Sequence, residues 1–401
     1  MRRKQVFNEI KSWKISLHLL IAKIAKLYIR LLPNLGIIGI SGSVGKTATQ
    51  NAIYAVLSQK FRTVVPDENL DPTFRIPRTI LKARPLDQKI ILEYGVEYPK
   101  DMDYYLSIVK PKIAVLTRIT PTHTKYFGNI QGVYAEKVKL IESLTRDDSA
   151  VLNVNDPYSL KAALKTQAQV FWFGQKAKNG VKISHFVQDL KGSKFRLHYQ
   201  GQKAAVSWKI IGKHHLTSAY AAATVGIICG LTIKQIASGL SKTKPPYHRL
   251  NLIRCKNFVI IDDTYNSSPK AAEESLLTLT NLAKRKVKMA ILGEMKDLGN
   301  LEKIAHIHLG QKIAKTNINY LITVGKVASK IAQSAKKSGF SGKIAQASNV
   351  KGAIETLNRL NLNNSVILIK GSRHAHLERI VYALQHKSTA VNCYHCGELN
   401  I

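Results

Sequence analysis

The stretch that decides the fold is Gly39-Ile40-Ser41-Gly42-Ser43-Val44-Gly45-Lys46-Thr47. It ends an apolar run over residues 35–41, which predicts a short buried strand, and it precedes a helical stretch over residues 48–57. Strand, glycine-rich turn and helix, in this order, form the context that a nucleotide P-loop requires. The glycines let backbone N–H groups curl around phosphate oxygens, and the helix start adds partial positive charge. Residues 42–47 therefore predict a phosphate site, with Lys46 on the β- and γ-phosphates and the Thr47 hydroxyl on Mg²⁺.

The composition is that of a large globular protein with an unusual charge. The chain has 401 residues, of which 45% are hydrophobic, so we expect two or three domains and exclude global disorder. The 61 Lys and Arg residues exceed the 25 Asp and Glu residues by 36, which favours an anionic partner without identifying it. Aromatic residues are only 7%, and no nucleic-acid-binding module is recognisable, so we expect no nucleic-acid partner.

Four cysteines are too few for a disulfide framework in a chain of this length, which favours a reducing compartment. The tail segment Cys393-Tyr394-His395-Cys396 has the spacing of half a zinc site. A structural zinc site needs four ligands, commonly two such pairs, and the sequence has no second pair. We therefore interpret residues 387–401 as a tail and leave metal binding by Cys393 and Cys396 open.

Two further strands end in side chains suited to a metal. Residues 90–92 form an apolar run that leads into Glu93, and residues 113–117 form another, followed by His123. Ligands of open α/β sheets bind beyond the carboxyl ends of strands, so both side chains could face the P-loop. Each signal is weak when taken alone, because a single histidine after a strand is more often a surface or core residue.

The C-terminal third repeats the alternation of strands and helices. Apolar runs end at residues 261, 293, 325 and 371, and helical stretches lie between them, which predicts a second doubly wound α/β unit. The polar, proline-bearing segment over residues 241–246 is typical of a linker.

These segments, in this order, resemble the Mur ligase family. The residues that carry the resemblance are GISGSVGKT (39–47), LEYG (92–95), TPTH (120–123), the helix at 132–137, IDDTYNSSP (261–269), LGEMKDLG (292–299) and KGSR (370–373). The likeness covers roughly residues 36–385. It implies an α/β fold with a central P-loop ATPase domain, built on a mostly parallel sheet, and a Rossmann-like α/β C-terminal domain. The expected domains are residues 36–245 and 246–386, preceded by a basic amphipathic helix over residues 1–35.

The resemblance also implies site residues. It assigns ATP to Gly42, Ser43, Val44, Gly45, Lys46, Thr47, Arg249, Asp263 and Asn266. It implies two Mg²⁺ sites, one held by Thr47 and the other by Glu93, His123 and a carbamylated Lys137. A carbamate would turn the Lys137 amine into an anionic oxygen ligand, which suits Mg²⁺. Lys46, His123 and Lys137 are expected to act in catalysis. The substrate is expected at Lys370, Ser372 and Arg373.

The activity implied is an ADP-forming amide ligation through an acyl phosphate, in the synthesis of cell-wall precursors. The expected partners are a small anionic acceptor of the muramoyl-tripeptide type and an amino acid or dipeptide donor, with D-alanyl-D-alanine favoured. A cytoplasmic monomer is expected. Three alternatives stay open: a folylpolyglutamate-type or amino-acid-polymer ligase, a ligase with a lipid-linked acceptor, and a non-catalytic, basic nucleic-acid-binding protein.

The sequence departs from the family pattern in several places. About 40 residues precede Gly42, too few for the N-terminal uridine-nucleotide domain of the family, so we expect that domain to be lacking. The other departures are His215, Ser218 and Ser268 in place of asparagines, Lys139 in place of an acid, and Arg75 in a Gly-x-Pro pattern that ends at Pro77.

The first 35 residues carry eight Lys or Arg residues against one acid. Apolar residues recur at helical spacing at Leu17, Leu20, Ile21, Ile24, Tyr28 and Leu31. Lys23, Lys26 and Arg30 fall on another side of the predicted helix. The uncharged run over residues 15–22 is too short to span a bilayer. Two interpretations remain, namely a helix packed on the domain that follows and a helix lying on an anionic membrane surface.

Overall fold

A computed structural model describes residues 12–66, 72–393 and 397–399. The first sheet has six strands, all pairing in parallel, in the order β2-β3-β1-β4-β5-β6. Its strands are β1 (Gly36–Ser41), β2 (Thr63–Val64), β3 (Lys89–Glu93), β4 (Ile113–Leu116), β5 (Ser149–Asn153) and β6 (Gln169–Phe173). The P-loop strand β1 lies between β3 and β4, so the ends of all three meet at one edge.

Helices cover both faces of this sheet, which explains why its central strands are continuous apolar runs. The helices are α1 (Ser12–Tyr28), α2 (Lys46–Leu57), α3 (Pro72–Lys82), α4 (Asp101–Ile108), α5 (Thr124–Phe127), α6 (Ile130–Glu142), α7 (Pro157–Ala163), α8 (Leu216–Ile228) and α9 (Ile233–Ser241). One core joins the sheet to α2, α8 and α9. The other core joins the opposite face to α1, α3, α4 and α6.

A small antiparallel sheet follows the first sheet, and the sequence analysis did not predict it. It consists of β7 (Lys182–Asp189), β8 (Gly192–Tyr199) and β9 (Gln202–Trp208). Alternate residues of β8 and β9 face the core, and the rings of Phe195 and Trp208 meet edge to face, 5.7 Å between centroids. The sheet thereby closes the α8 side of the first core.

The second unit contains another six-stranded sheet, in the order β10-β11-β15-β12-β13-β14. Its strands are β10 (Asn251–Arg254), β11 (Phe258–Asp263), β12 (Val287–Gly293), β13 (Tyr320–Val324), β14 (Lys343–Ala347) and β15 (Ser365–Lys370). Only the β10–β11 pair is antiparallel. The remaining elements are α10 (Pro269–Ala283), α11 (Glu302–Ala314), α12 (Ser329–Lys337), α13 (Val350–Asn358), α14 (Glu378–Leu384), β16 (Val391–Cys393) and β17 (Gly397–Leu399).

This architecture confirms the predicted fold class, a mostly parallel P-loop unit followed by a Rossmann-like α/β unit. The predicted linker at residues 241–246 lies between the end of α9 at Ser241 and the start of β10 at Asn251. The domain boundary at residues 245 and 246 stays a prediction.

The N-terminal helix packs on the first unit, but not through its apolar positions. His18, Ala22 and Ala25 are buried, and His18 Nε2 lies 2.9 Å from the hydroxyl of Tyr104 on α4. The predicted apolar positions Leu17, Leu20, Ile24 and Leu31 are exposed, whereas Ile21 and Tyr28 are half-buried. These four residues therefore do not form the packed face of α1, which contains two alanines that let α1 approach α3 closely.

The packing of α11 on α12 provides a test of the second core. A Cβ atom at Gly310 would collide with the carbonyl oxygen of Ile331, which is backbone and cannot move aside cheaply. We expect Gly310→Ala to lower the free energy of unfolding by about 1–3 kcal/mol in denaturant titrations. The matched control is Gly352→Ala in α13, where the nearest atom lies 3.7 Å away. That variant should be neutral or gain up to about 1 kcal/mol through helix propensity, and equal losses in both variants would contradict the packing.

Candidate functional site

The P-loop is a tight turn fixed by its neighbours. Gly42 and Gly45 have φ values of 144° and 83°, and a side chain at Gly42 would collide with the Thr117 hydroxyl. The Ser43 amide donates to the carbonyl oxygen of Arg118 over 2.7 Å. The Thr117 hydroxyl donates to the carbonyl oxygen of Val44 over 2.7 Å. The loop that follows β4 therefore holds the phosphate turn in shape before any ligand arrives.

Lys46 and Thr47 begin α2 and face the end of β3. The Lys46 ammonium donates to the carbonyl oxygen of Gly42 over 2.9 Å, so it curls back over the loop. The Thr47 hydroxyl donates to Glu93 Oε2 over 3.2 Å. Glu93 reaches this position because β1 and β3 pair in parallel, with Ile40 opposite Glu93. The structure thus brings Lys46, Thr47 and Glu93 together, as their positions after strands predict.

Arg75 is a site residue that the sequence analysis noted only as a departure. Its guanidinium, on α3, lies 3.5 Å from Glu93 Oε2, and both side chains are buried. Burial raises the pKa of Glu93, but Arg75, Lys46 and Arg249 lower it by more, so Glu93 is held ionised. The signal that could have found Arg75 is its place on the buried side of an amphipathic helix, where a cation requires a partner.

His123 occupies the loop after β4 in a left-handed conformation, with φ at 54°. Its pKa is lowered to about 3 by burial and by the charges of Lys137 and Lys46, so the ring is neutral near pH 7. Its Nδ1 atom is buried and has no hydrogen-bond partner among the residues that the structure describes. An Asp297 carboxylate oxygen of the second unit lies 4.0 Å from this atom.

Lys137 is the most unusual side chain of the site. It lies on α6 with 1% of its surface exposed, and within the described ranges it forms no hydrogen bond or salt bridge. Burial lowers its pKa well below the ordinary lysine value, and the charge of Lys46 adds to this shift. Lys139, two residues on, is bound instead by Asp103 and Glu136 at 2.8 and 2.9 Å. Burial therefore favours the neutral form of the Lys137 amine, while Lys139 pairs with the exposed Asp103 and the buried Glu136.

The second unit contributes Arg249, whose guanidinium stacks on the ring of Tyr265 at 4.2 Å. The charge of Arg249 lowers the pKa of both Lys46 and Glu93, so it lies within electrostatic reach of the P-loop. Tyr265 was not singled out as a site residue by the sequence, although it stands inside the IDDTYNSSP segment.

A buried latch fixes the backbone around Arg249. Nδ1 of His248 lies 2.5 Å from Asp262 Oδ2, and Nε2 lies 3.2 Å from the hydroxyl of Tyr382 on α14. Both flanking residues, His248 and Leu250, have positive φ, at 53° and 51°. Because non-glycine residues rarely adopt this conformation, the contacts of His248 are needed to hold it. No motif in the sequence predicted this latch.

Asp263, Asn266 and Lys370 form a cluster inside the second unit. The Lys370 ammonium donates to Asp263 Oδ2 over 2.6 Å and to the carbonyl oxygen of Asn266 over 2.9 Å. Ser275 donates to the same Asp263 oxygen over 2.6 Å. Lys370 is 2% exposed, and its ammonium group pairs with Asp263. Its bond to Asn266 holds the loop that carries Tyr265 and Asn266. The expected contact between Lys370 and a substrate stays a prediction.

Ser372 and Arg373 follow the end of β15. The Ser372 hydroxyl is buried and, within the described part of the chain, has no hydrogen-bond partner. Arg373 lies 3.2 Å from Glu378 Oε1, and its guanidinium is 5.9 Å from the Tyr265 ring. A cavity of about 580 Å³ opens beside this turn, and its lining includes Lys296, Lys326, His374 and Arg379. The turn therefore offers donors to an anion.

The two units touch beside His123. The Thr124 hydroxyl donates to the carbonyl oxygen of Leu298 over 3.2 Å, and the Lys125 amide donates to that of Asp297 over 3.5 Å. Residues 123–125 of the first unit and residues 297–298 of the second thus lie against each other beside the site. Of the changed positions, Ser218 accepts a hydrogen bond from Thr49 within the first unit, whereas His215 lies within electrostatic reach of Asp263 of the second unit.

The described part of the chain holds no ready-made metal cluster of unmodified side chains. Within residues 12–66, 72–393 and 397–399, His, Cys, Asp and Glu side chains do not form a group of three or more suited to a metal ion. Glu93 and His123 therefore need further ligands if they bind Mg²⁺. The predicted Cys393–Cys396 pair lies outside the residues whose side chains are described.

Comparisons with known proteins match both units. The Mur ligase middle domain matches residues 40–226, and the Mur ligase, glutamate ligase domain matches residues 248–373. A relative from Buchnera aphidicola, UDP-N-acetylmuramoyl-tripeptide--D-alanyl-D-alanine ligase, is 30% identical over 91% of this chain and 78% of its own length.

Two solved structures show the same fold. MurF from Acinetobacter baumannii superposes with a TM-score of 0.85 at 24% identity, covering 92% of this chain and 81% of that chain. MurF ligase from Thermotoga maritima, in complex with ADP, gives a TM-score of 0.81 at 22% identity and covers 92% and 84%.

The Asp263–Lys370 contact yields a prediction on stability. Lys370→Met would leave the Asp263 carboxylate buried without its counter-charge, so we expect a loss of about 3–5 kcal/mol in the free energy of unfolding. The double variant Asp263→Asn/Lys370→Met should recover part of this loss, because no uncompensated charge remains. Lys270→Met is the matched control, since Lys270 pairs with Glu274 at 3.1 Å on an exposed helix surface. It should cost about 0.5 kcal/mol or less. If urea titrations give equal losses of unfolding free energy for Lys370→Met and Lys270→Met, the buried contact stabilises the fold no more than the pair of Lys270 with Glu274.

Proposed function

Because the chain belongs to the Mur ligase family, we propose that it is an ATP-dependent ligase that joins D-alanyl-D-alanine to an acceptor of the UDP-N-acetylmuramoyl-tripeptide type. The observation that carries this proposal is the convergence of Lys46, Glu93, His123 and Lys137 at the edge of the first sheet, opposite Arg249. Family membership favours this activity over the non-catalytic, nucleic-acid-binding alternative. A cytoplasmic monomer remains our prediction.

The phosphates of ATP would bind at residues 42–47. The backbone N–H groups of the turn and the start of α2 favour anionic oxygens. Lys46, curled over the loop, would lie beside the β- and γ-phosphates. Arg249 approaches from the second unit, so a triphosphate would neutralise cations of both units at once. The adenosine end would then face the loop of Tyr265 and Asn266, which Asp263 and Lys370 hold in place.

The side chains present fit Mg²⁺ at the two predicted positions. Thr47 and Glu93 offer oxygens beside the phosphate turn, and Glu93 is ionised. The unpartnered Nδ1 of the neutral His123 ring offers a lone pair within the same site. When bound, Mg²⁺ neutralises the charge that accumulates on the transferred phosphoryl group. Arg75 shares Glu93 with these ligands and keeps its carboxylate charged.

Lys137 is suited to carbamylation. Addition of CO₂ requires a neutral amine, and burial together with the Lys46 charge lowers the pKa of Lys137 and so favours that form. The product is an anion, which the charge of Lys46 favours and the carboxylates of Glu97, Glu136 and Asp101 oppose. A bound Mg²⁺ would therefore stabilise it by supplying the missing positive charge. The carbamate would also be a third ligand beside Glu93 and His123. The unmodified side chains of the described residues do not supply one. We propose that Lys137 acts in this modified form.

The reaction has two steps, and both build negative charge near Lys46. A carboxylate of the acceptor attacks the γ-phosphorus, ADP leaves, and an acyl phosphate forms. The donor amine then attacks the acyl carbon, the tetrahedral intermediate expels phosphate, and the amine loses a proton to give the amide. Lys46 and the N–H groups of the P-loop face the phosphoryl oxygens in both steps. The contact of the two units at Thr124 and Leu298 screens this region from water.

The donor dipeptide would meet the second unit at the turn after β15. The Ser372 hydroxyl and the Arg373 guanidinium are positioned to bind its carboxylate, and the neighbouring cavity is lined by further basic side chains. Lys370 would act on the substrate only indirectly, through the loop that it fixes.

An ADP-release assay tests the ligase proposal directly. ADP should form when ATP, Mg²⁺, UDP-N-acetylmuramoyl-tripeptide and D-alanyl-D-alanine are all present, and omission of either substrate should remove the signal. Lys46→Met should lower the rate by at least about 100-fold, because a charge that faces the phosphoryl oxygens is lost. Lys60→Met, an exposed lysine just beyond α2, is the control and should keep the rate. ADP release without either substrate, or an active Lys46→Met variant, would refute the proposal.

Carbamylation of Lys137 has its own test. Removal of CO₂ and bicarbonate should lower the rate of the wild type, and adding bicarbonate should restore it. Lys137→Ala should be at least about 10-fold slower and should not respond to bicarbonate, because no amine remains to react. Lys139→Ala loses the ion pairs with Asp103 and Glu136 but leaves the Lys137 amine in place, so it should keep the response. The assignment is wrong if the wild type ignores bicarbonate, or if both lysine variants behave alike.

A further inference from the structure

The N-terminal helix α1 presents three different faces along its length. His18, Ala22 and Ala25 are turned to the domain, where the His18 ring meets Phe74 of α3 edge to face at 4.5 Å between centroids. The hydroxyl of Tyr28 donates to the carbonyl oxygen of Ala83 over 2.6 Å and ties down the end of the helix. These contacts fix the orientation of α1, so the direction of its other two faces is determined.

The second face is apolar and exposed. Its members are separated by three or four residues, and the exposed fractions are Leu17 47%, Leu20 53%, Ile24 46%, Leu27 62% and Leu31 74%. This spacing places the first four on one stripe of α1, and Leu31 continues it in the 3-10 turn Ile29–Leu31 that follows the helix. Isolated exposed leucines are ordinary, but a contiguous stripe marks an interaction surface.

The third face is basic and borders the stripe. Lys23, Lys26 and Arg30 are exposed on it, and the neighbouring helix α3 adds the exposed cations Arg78 and Lys82. Residues 12–32 contain no Asp or Glu. An apolar stripe beside a row of cations, without acids, matches the boundary between the headgroups and the acyl chains of an anionic lipid layer.

We propose that α1 docks the protein on the surface of a membrane that contains anionic lipids, with the leucine stripe inserted below the headgroups and Lys23, Lys26 and Arg30 bound to the lipid phosphates. This inference goes beyond the proposed ligase activity and does not depend on it. The helix would lie in the plane of the surface. None of the helices within the described residues is long and apolar enough to cross a bilayer.

Charge favours a lipid surface over a second copy of the chain. Pairing two α1 stripes would bring two rows of Lys23, Lys26 and Arg30 together, on molecules that each carry a formal charge of +36. An anionic bilayer offers the opposite charge beside an apolar layer. Nucleic acid offers the charge but has no apolar layer to cover five large side chains.

Docking through α1 would also orient the active site. The helix rests on α3 at Phe74, and the next residue of α3, Arg75, contacts Glu93. The membrane would therefore lie behind α3, on the side of the first sheet opposite α2, α8 and α9. A ligase held this way keeps a fixed distance between its site and the membrane surface.

Vesicle co-sedimentation of the full chain tests the proposal. The wild type should sediment with vesicles of phosphatidylglycerol and phosphatidylcholine, should not sediment with phosphatidylcholine alone, and should be released by salt. Lys23→Gln/Lys26→Gln/Arg30→Gln should weaken binding on the order of 100-fold at low ionic strength, because each cation near the surface contributes several-fold. Leu20→Gln/Ile24→Gln/Leu27→Gln should lose binding to a similar extent, and since all three residues are exposed the protein should keep its fold and its ADP release.

Two matched controls separate α1 from the general charge of the protein. Lys176→Gln/Lys178→Gln/Lys191→Gln removes three exposed cations elsewhere, and Leu160→Gln/Leu164→Gln removes two exposed leucines of the α7 region. Both controls should sediment like the wild type. The proposal is overturned if the wild type does not bind anionic vesicles, or if the controls lose as much binding as the α1 variants. It is equally overturned if size-exclusion chromatography shows a dimer that the leucine variant disperses while vesicle binding is unchanged.

Discussion

The site depends on a concentration of positive charge around one carboxylate. Arg75, Lys46 and Arg249 all lower the pKa of Glu93 and hold it ionised. A protein tolerates such a concentration of cations only where some are neutralised or where anions bind. Burial and the charge of Lys46 lower the pKa of Lys137, and the P-loop at the start of α2 offers a place for an anion. The binding of phosphate groups then follows from the same charges that would otherwise oppose folding.

The parallel sheet supplies the geometry for this concentration of charge. Pairing of β1 with β3 sets Glu93 beside Thr47, and pairing of β1 with β4 brings the Thr117–His123 loop against the phosphate turn. The second unit contributes Arg249 to the same edge of the first sheet, and this residue is positioned by its neighbours in the chain. Arg249 lies between His248 and Leu250, whose positive φ values are unfavourable, and the Asp262–His248–Tyr382 contacts stabilise this backbone conformation.

The site residues that the sequence predicts lie in short, continuous motifs. The P-loop, Glu93 after its strand and the helix of Lys137 are local patterns, so their elements could be predicted without tertiary information. The Arg75–Glu93 and Asp263–Lys370 pairs join residues 18 and 107 positions apart, and nothing local indicates such partners. The α1 helix shows what periodicity alone cannot predict. The spacing of its apolar residues predicts a helix, and the structure contains one. The spacing does not show whether the large apolar residues pack or stay exposed, because here the packed face contains two alanines instead.

The latch at His248 determines which unit carries Arg249. Asp262 and Tyr382 belong to the second unit, so His248 and the residue after it move with that unit rather than with the linker. The stacking of Arg249 on Tyr265 adds a second attachment to the same body. Arg249 therefore acts on Lys46 and Glu93 from the second unit, which also contacts the first unit at Thr124 and Leu298. A separation of the units would remove this cation from the P-loop. If Arg249 binds phosphate as proposed, one side chain would couple phosphate binding to the contact between the units.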